Sequence, residues 1–403
     1  MTTTIGRAPA AATRRGRIRP GAVTAAAAAI ALTAALAACG SSSSAAAHSA
    51  AASDPAVSLA TSLSTSQDSW AIVPMSANPA FWQVFVRPAK SATWKLVTPP
   101  GVADNGGLVA TADAGSGLTV AVRPSQDLTF SPLAATANAG STWSAPSPLS
   151  AGVAASPGAL AVQGSQLAAL LGNGTIEASA DGGDTWRTVA KPGAIVASPA
   201  GKKCGTAAIT SIAFGPTPAE IVAAADCGAT DSVGLFSYTS SDGWQQLRFP
   251  VSGQLVRLSA GSALIRTKAG LTELWDGAYG WYAYAPLATP SQSGPAWSVS
   301  APLPVTSAVT ASGGLSGAMP SAAGAWVLLA GGQAATIAGP GKQWLLLPPV
   351  PAHTSVLASG PGSAIDALAV SGATLTVWQL DHGSTVWAKA QTISVPIQYG
   401  SSS

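Results

Sequence analysis

The sequence predicts an all-β protein: a seven-bladed β-propeller preceded by a signal peptide and a tether. Three observations carry that prediction. Tryptophans recur in a shared local pattern at Trp94, Trp143, Trp186, Trp244, Trp281, Trp344 and Trp387, separated by 49, 43, 58, 37, 63 and 43 residues. The average, about 49, suits a unit of four short strands and their turns. Three positions before each tryptophan stands a small residue, Ser91, Gly140, Gly183, Ser241, Ala278, Gly341 or Ser384, as a tight turn requires. Finally, 43 glycines and 30 prolines are spread through the chain, and no long 3.6-residue apolar period follows the N-terminal segment. A helical reading fails and strands remain. The uneven spacings also suit six or eight blades, and a pair of β-sandwiches is the competing arrangement.

Residues 1–38 are expected to be a lipoprotein signal peptide. Arg7, Arg14, Arg15, Arg17 and Arg19 precede an apolar run from Ala22 to Ala38, with no acidic residue among them, the order of an export signal. The run ends in Leu36-Ala37-Ala38-Cys39-Gly40, which resembles a bacterial lipobox. That resemblance implies cleavage before Cys39 and acylation of its thiol, leaving the protein lipid-anchored at the outer face of the cell membrane. Thr13-Arg14-Arg15 leaves twin-arginine export open beside the general secretory route. Residues 39–55 hold nothing large enough to anchor a core and read as a flexible tether. The propeller is expected over residues 56–399 and a short tail over 400–403.

Removing the signal changes the sign of the charge. Taking its five arginines from the 19 basic residues leaves 14 against 16 acidic ones. A near-neutral chain without a basic cluster offers no footprint for nucleic acid. The most apolar later stretch, Ala323 to Gly339, is cut by Gly331-Gly332-Gln333 and reads as a hairpin, so the expected membrane contact is through lipid alone. Cys204 and Cys227 lack metal-type spacing and, in an exported chain, are expected to form a disulfide; buried free thiols are the alternative.

Within the units the strands are legible. Gln166 to Leu171 runs into an Asn173-Gly174 turn, and Thr175 to Ala178 leads out of it, a strong hairpin signal. Trp326 to Leu329, Gly331-Gly332, Ala335 to Ile337 and Trp344 to Leu347 repeat the plan. Ring closure is expected where a strand from one terminus pairs beside the other, with Ala56 to Ser62 and Thr392 to Ile397 as candidates.

Residues 179–186, Ser-Ala-Asp-Gly-Gly-Asp-Thr-Trp, resemble the Asp-box of sialidase-like propellers at Ser179, Asp181, Gly183, Thr185 and Trp186. The resemblance implies a structural turn remote from any catalytic face, with Trp186 packing between strands or blades. It also raises exo-sialidase chemistry, in which three arginines grip a carboxylate, a glutamate activates a tyrosine nucleophile and an aspartate is the acid/base. The chain departs from that pattern. Phe85-Val86-Arg87-Pro88 places its arginine one position away from the family's Phe-Arg-Ile-Pro, and one step along a strand turns a side chain to the opposite face.

Arg87, Arg123, Arg257 and Arg266 remain the candidate clamp, and Glu273 with Tyr279 or Tyr282 the candidate nucleophile pair. Arg187 and Arg248 follow box tryptophans and are expected at solvated outer edges. His48, His353 and His382 are too scattered for a metal site, and no cofactor motif is present. Only 9% of the residues are charged, far below the usual quarter. Trp275, Tyr279, Tyr282, Tyr284 and Trp297 crowd one stretch, as blade packing or as a stacking patch. The expectation is a monomeric, non-catalytic binding or scaffold protein for an envelope protein or glycan. The alternatives are a sialidase-type hydrolase and, by resemblance, a propeller like the exported assembly or stability factors of photosystem II.

Overall fold

The computed structural model describes residues 61–64, 68–75, 82–99, 108–114, 117–122, 133–145, 157–214, 220–228, 232–247, 254–259, 262–267, 270–275, 298–299, 303, 315–321, 324–329, 332–337 and 342–395. Their strands form six four-stranded sheets and one three-stranded sheet, each an antiparallel meander of consecutive strands. In the three-stranded second sheet the place of a fourth strand is taken by a single bridge between Ala135 and Ser144.

The first strands of the sheets are Thr61–Ser64, Leu108–Ala114, Pro157–Gln163, Thr206–Phe214, Gln254–Ser259, Leu315–Ser321 and Thr354–Ser359. From the second sheet onward each of these lies against the first strand of the next sheet, and Thr354–Ser359 lies against Thr61–Ser64. Leu118 and Val120 of the second sheet share a core cluster with Trp70 and Phe85 of the first. Meander sheets that pack face to face in sequence, with the last returning to the first, make a β-propeller. The first strands form its inner ring.

The second strands show why simple alternation is weak in this sequence. Asp68–Pro74, Gln166–Leu171 and Ile221–Cys227 are buried on both faces, because each is covered by the sheets on either side. Full burial of a leucine or isoleucine contributes about 1.5–3 kcal/mol. Alanines such as Ala168, Ala169, Ala223 and Ala224, all at 0% exposure, let the sheets approach closely.

Three features depart from expectation. Among the described residues ring closure uses no shared strand: Thr61–Ser64 pairs with Asp68–Pro74, and Ala388–Ser394 pairs with Thr374–Leu380, while residues 56–60 and 396–397 of the expected closure lie outside the described residues. Two short helices, Ala194–Ala197 and Pro199–Cys204, join the third sheet to the fourth. The Ser198 side chain accepts from Gly201 N with proline at the first turn, and Gly205 ends the second helix in a left-handed conformation; these are start and stop signals too local to raise a helical period. The third feature is a register shift. In sheets two to seven the first strand carries a β-bulge against the second. The bulge deepens local twist, as radially packed sheets require. Among the described residues no helix is long and apolar enough to cross a membrane.

Candidate functional site: the channel mouth and the seam

A meander of four strands returns the chain to the end of the sheet where it began, so every inner strand starts at the same end of the ring. The bulges gather at that end. Register leaves Val109, Gly158, Thr210, Val256, Ser316 and Ser355 as extra residues, with a second shift in the fourth sheet across Ala207-Ala208, and none of these residues is charged. A bulged residue drops out of the ladder and re-aims its neighbours, which is why bulges recur at rims and binding sites. Across the seven inner strands the charged residues are Asp113 and Arg257.

The octet turn lies at the other end, between the third and fourth strands of its sheet, Ile176–Ser179 and Arg187–Ala190. Ser179 Oγ donates to Asp181 Oδ1 at 2.7 Å and accepts from Gly183 N at 2.8 Å. Thr185 donates to Asp181 through its amide at 2.9 Å and its hydroxyl at 2.6 Å. The Thr185 hydroxyl and amide, with the Ser179 hydroxyl, hold the Asp181 carboxyl down at about 2.

One sheet earlier the wiring recurs in other letters. Thr136 Oγ1 donates to Asn138 Oδ1 at 3.0 Å and accepts from Gly140 N at 3.1 Å, while Thr142 N donates to Asn138 Oδ1 at 2.9 Å. The first and last turns share a reduced form, with Thr93 N on Ser91 Oγ and Val386 N on Ser384 Oγ. The tryptophans beside these turns tie neighbouring sheets together. Trp143 Nε1 donates to Val97 O at 2.8 Å and Trp387 Nε1 to Pro348 O at 3.4 Å, each on the preceding sheet. Trp186 packs on a cluster that joins Ala121 and Leu133 to Ala169 and Leu171.

Arg87 belongs to this far end as well. It is 5% exposed and spends its guanidinium on the seam between the first and last sheets. Nη2 donates to Ser69 Oγ at 3.0 Å and to Ser359 O at 2.7 Å, and Nη1 to Ser91 O at 3.2 Å. Nε stands 3.7 Å from Asp366 Oδ2, which accepts from Trp94 Nε1 at 2.8 Å. The guanidinium lies 5.9 Å from the Trp94 ring centre. Burial pulls Arg87 below its ordinary value, against the pull of Asp366 and Asp68. Burial likewise raises Asp366, opposed by the Trp94 indole N–H and by Arg87. Removing one partner of such a buried pair costs roughly 3–5 kcal/mol. Arg87, Ser91 and Trp94 stood out in the sequence for other reasons, and nothing there joined them to the rest of this cluster. Ser69, Ser359, Asp366 and Gln391 are unremarkable letters until the ring closes.

The remaining candidates are dispersed. Arg257, Arg266 and Glu273 all stand in the fifth sheet, where Leu264 pairs with both Arg257 and Glu273 and Arg266 pairs with Gln254 and Leu271. Trp275 ends the third strand of that sheet. Arg87 is in the first sheet, and its guanidinium is engaged at the seam with the last sheet. Arg187, His353 and His382 are exposed. Cys204 and Cys227 are joined in a disulfide and buried. Cys39, His48, Arg123, Arg248, Tyr279, Tyr282, Tyr284 and Trp297 lie outside the described residues. Among the described residues no cluster of His, Cys, Asp and Glu is suited to a metal ion.

No family profile matches the sequence, and no curated protein matches it. In fold the chain is similar to YCF48 from Cyanidioschyzon merolae, at 14% identity and a TM-score of 0.43, covering 79% of this chain and 91% of that one. It is similar to a protein from Lactobacillus plantarum at 14% identity, a TM-score of 0.49 and coverages of 82% and 97%. It is also similar to the GH74 xyloglucanase from Xanthomonas campestris at 16% identity and a TM-score of 0.47, covering 80% of this chain and 51% of that one.

Proposed function

We propose that this chain is a seven-bladed propeller lipoprotein, held at the outer face of the cell membrane by a lipid on Cys39, that binds an envelope protein or glycan at its channel mouth without turning it over. Seven consecutive sheets support the blade count. One observation carries the binding reading: the bulged residues toward the mouth are Val, Gly, Thr, Val, Ser and Ser, with two alanines at a second shift in the fourth sheet, and none is charged. Such a rim offers backbone released from the ladder and the exposed Thr210, which suits recognition. Acid/base or nucleophilic chemistry needs titratable groups set against each other. Arg87, the arginine nearest in sequence to the sialidase pattern, is occupied in the seam.

A photo-crosslinking residue in place of Thr210, exposed at the mouth, tests this in cells beside one in place of Thr185, exposed at the opposite end. The expected result is a discrete protein adduct, or glycan retention on an array blocked by the same substitution, from position 210 alone. Equal adducts from both positions defeat the mouth as the site. Turnover of a fluorogenic sialoside by the purified tether-free domain would favour the hydrolase reading instead. Cys39→Ala is expected to move the protein from the membrane fraction to the soluble one; unchanged membrane association removes the lipid anchor from the proposal.

A further inference from the structure

Among the described residues no strand is shared between the first and last sheets, so these two sheets meet there through apolar packing and side-chain hydrogen bonds. The apolar part of the seam is substantial: Trp70, Ile72 and Val84 of the first sheet share a cluster with Val356, Leu368 and Val377 of the last. Apolar packing alone is weakly directional and does not fix how the last sheet meets the first. The polar groups at the far end of the seam are directional, and they join residues 272 positions apart in the chain.

We infer that the Arg87 cluster is a clasp that fixes the last sheet of the ring onto the first. Its first half is the guanidinium. From the first sheet it reaches the Ser359 carbonyl at the end of the last sheet's inner strand and the Asp366 carboxylate on the next strand. Its second half is Gln391, on the outermost strand of the last sheet. Gln391 Oε1 accepts from Trp94 N at 2.8 Å, and Gln391 Nε2 donates to Trp94 O at 2.9 Å. That side-chain amide does for Trp94 what a neighbouring backbone does in a ladder, one donor and one acceptor returned to the same residue. Trp94 then carries the closure inward, its indole N–H on Asp366. Three elements of the last sheet are thereby gripped by one corner of the first.

A clasp of this kind governs local opening. Arg87→Lys keeps the charge but loses the planar fork that reaches Ser69, Ser91 and Ser359 together. Gln391→Ala removes only the bracket on the Trp94 backbone. Hydrogen exchange by mass spectrometry on the whole protein reads the outcome, with Phe236→Leu in the fourth sheet as a variant weakened elsewhere. For both clasp variants, amides of residues 82–96 and 365–380 are expected to exchange about tenfold faster while residues 176–179 and 221–227 keep wild-type rates. Phe236→Leu is expected to give the opposite pattern. Uniform acceleration across all sheets in the clasp variants, or unchanged exchange at residues 82–96, overturns the proposal. If Arg87→Lys does not fold, Gln391→Ala alone decides between these outcomes.

Discussion

Asp181 shows how far a single residue can be read in this protein. Its role as a turn former is visible in the octet, and its bonds to Ser179 and Thr185 account for a carboxyl held near 2 instead of its ordinary 3.8. A carboxyl depressed in the folded state adds stability that is complete above its unfolded value and is lost as pH falls through the folded one. The contribution of Asp181 should therefore vanish between about pH 4 and pH 2. Asp181→Asn is expected to flatten the pH dependence of the melting temperature across that window; the same slope in the variant would contradict the assignment. Gly234 makes the complementary case, because nothing in the sequence marks it. A Cβ there would stand 2.7 Å from both Cys204 Sγ and Cys227 Sγ and 2.9 Å from the Phe236 ring. Gly234→Ala is expected to lower stability by about 1–3 kcal/mol through overpacking, measured by denaturant unfolding with the disulfide intact.

At the scale of elements, strands flanked by glycine turns were legible. Gln166–Leu171 and Ile176–Ser179 follow from the apolar run and the Asn173-Gly174 turn between them, and Asn173 Oδ1 accepts from Thr175 N at 2.9 Å. The two helices were not legible, because at four and six residues neither repeats the 3.6-residue period often enough to show it. Ser198→Ala removes the side chain that accepts from Gly201 N at 3.0 Å and is expected to cost about 1 kcal/mol, read as a shift in the unfolding midpoint. The outer strand Leu345–Leu346 calls for a different test. Its leucines are 62% and 67% exposed on an edge whose outer side has no partner strand among the described residues. Exposed apolar edges invite association. Leu346→Lys is expected to leave the melting temperature within a degree or so while reducing self-association in sedimentation; a large loss of stability would mean that the leucine is structural.

At the scale of the molecule, the ring makes distant segments mutually dependent. The largest cores of the first and last sheets are one cluster, in which Trp70 and Phe85 pack with Val356, Leu368, Leu375 and Val395. Truncation after residue 350 would strip that cluster of its last-sheet half and remove Ser359, Asp366 and Gln391 from the clasp. The shortened chain is expected to be insoluble or to bind a hydrophobic dye strongly. A shortened chain that folds and melts cooperatively would mean that the sheets are stable one by one.

The sequence by itself determined the all-β character of the chain, the clearest turns that punctuate it and the scarcity of charge, and it pointed to the pairing of the two cysteines. All of these depend on residues close together in the chain or on composition, so they survive being read in one dimension. The tertiary structure decided how the ring closes, where the bulges gather and what Arg87 is for. Each of these joins positions from different sheets. Ser69, Ser359 and Gln391 are common letters whose meaning comes only from the partner that folding sets beside them, and a buried guanidinium is explained by the acceptors around it.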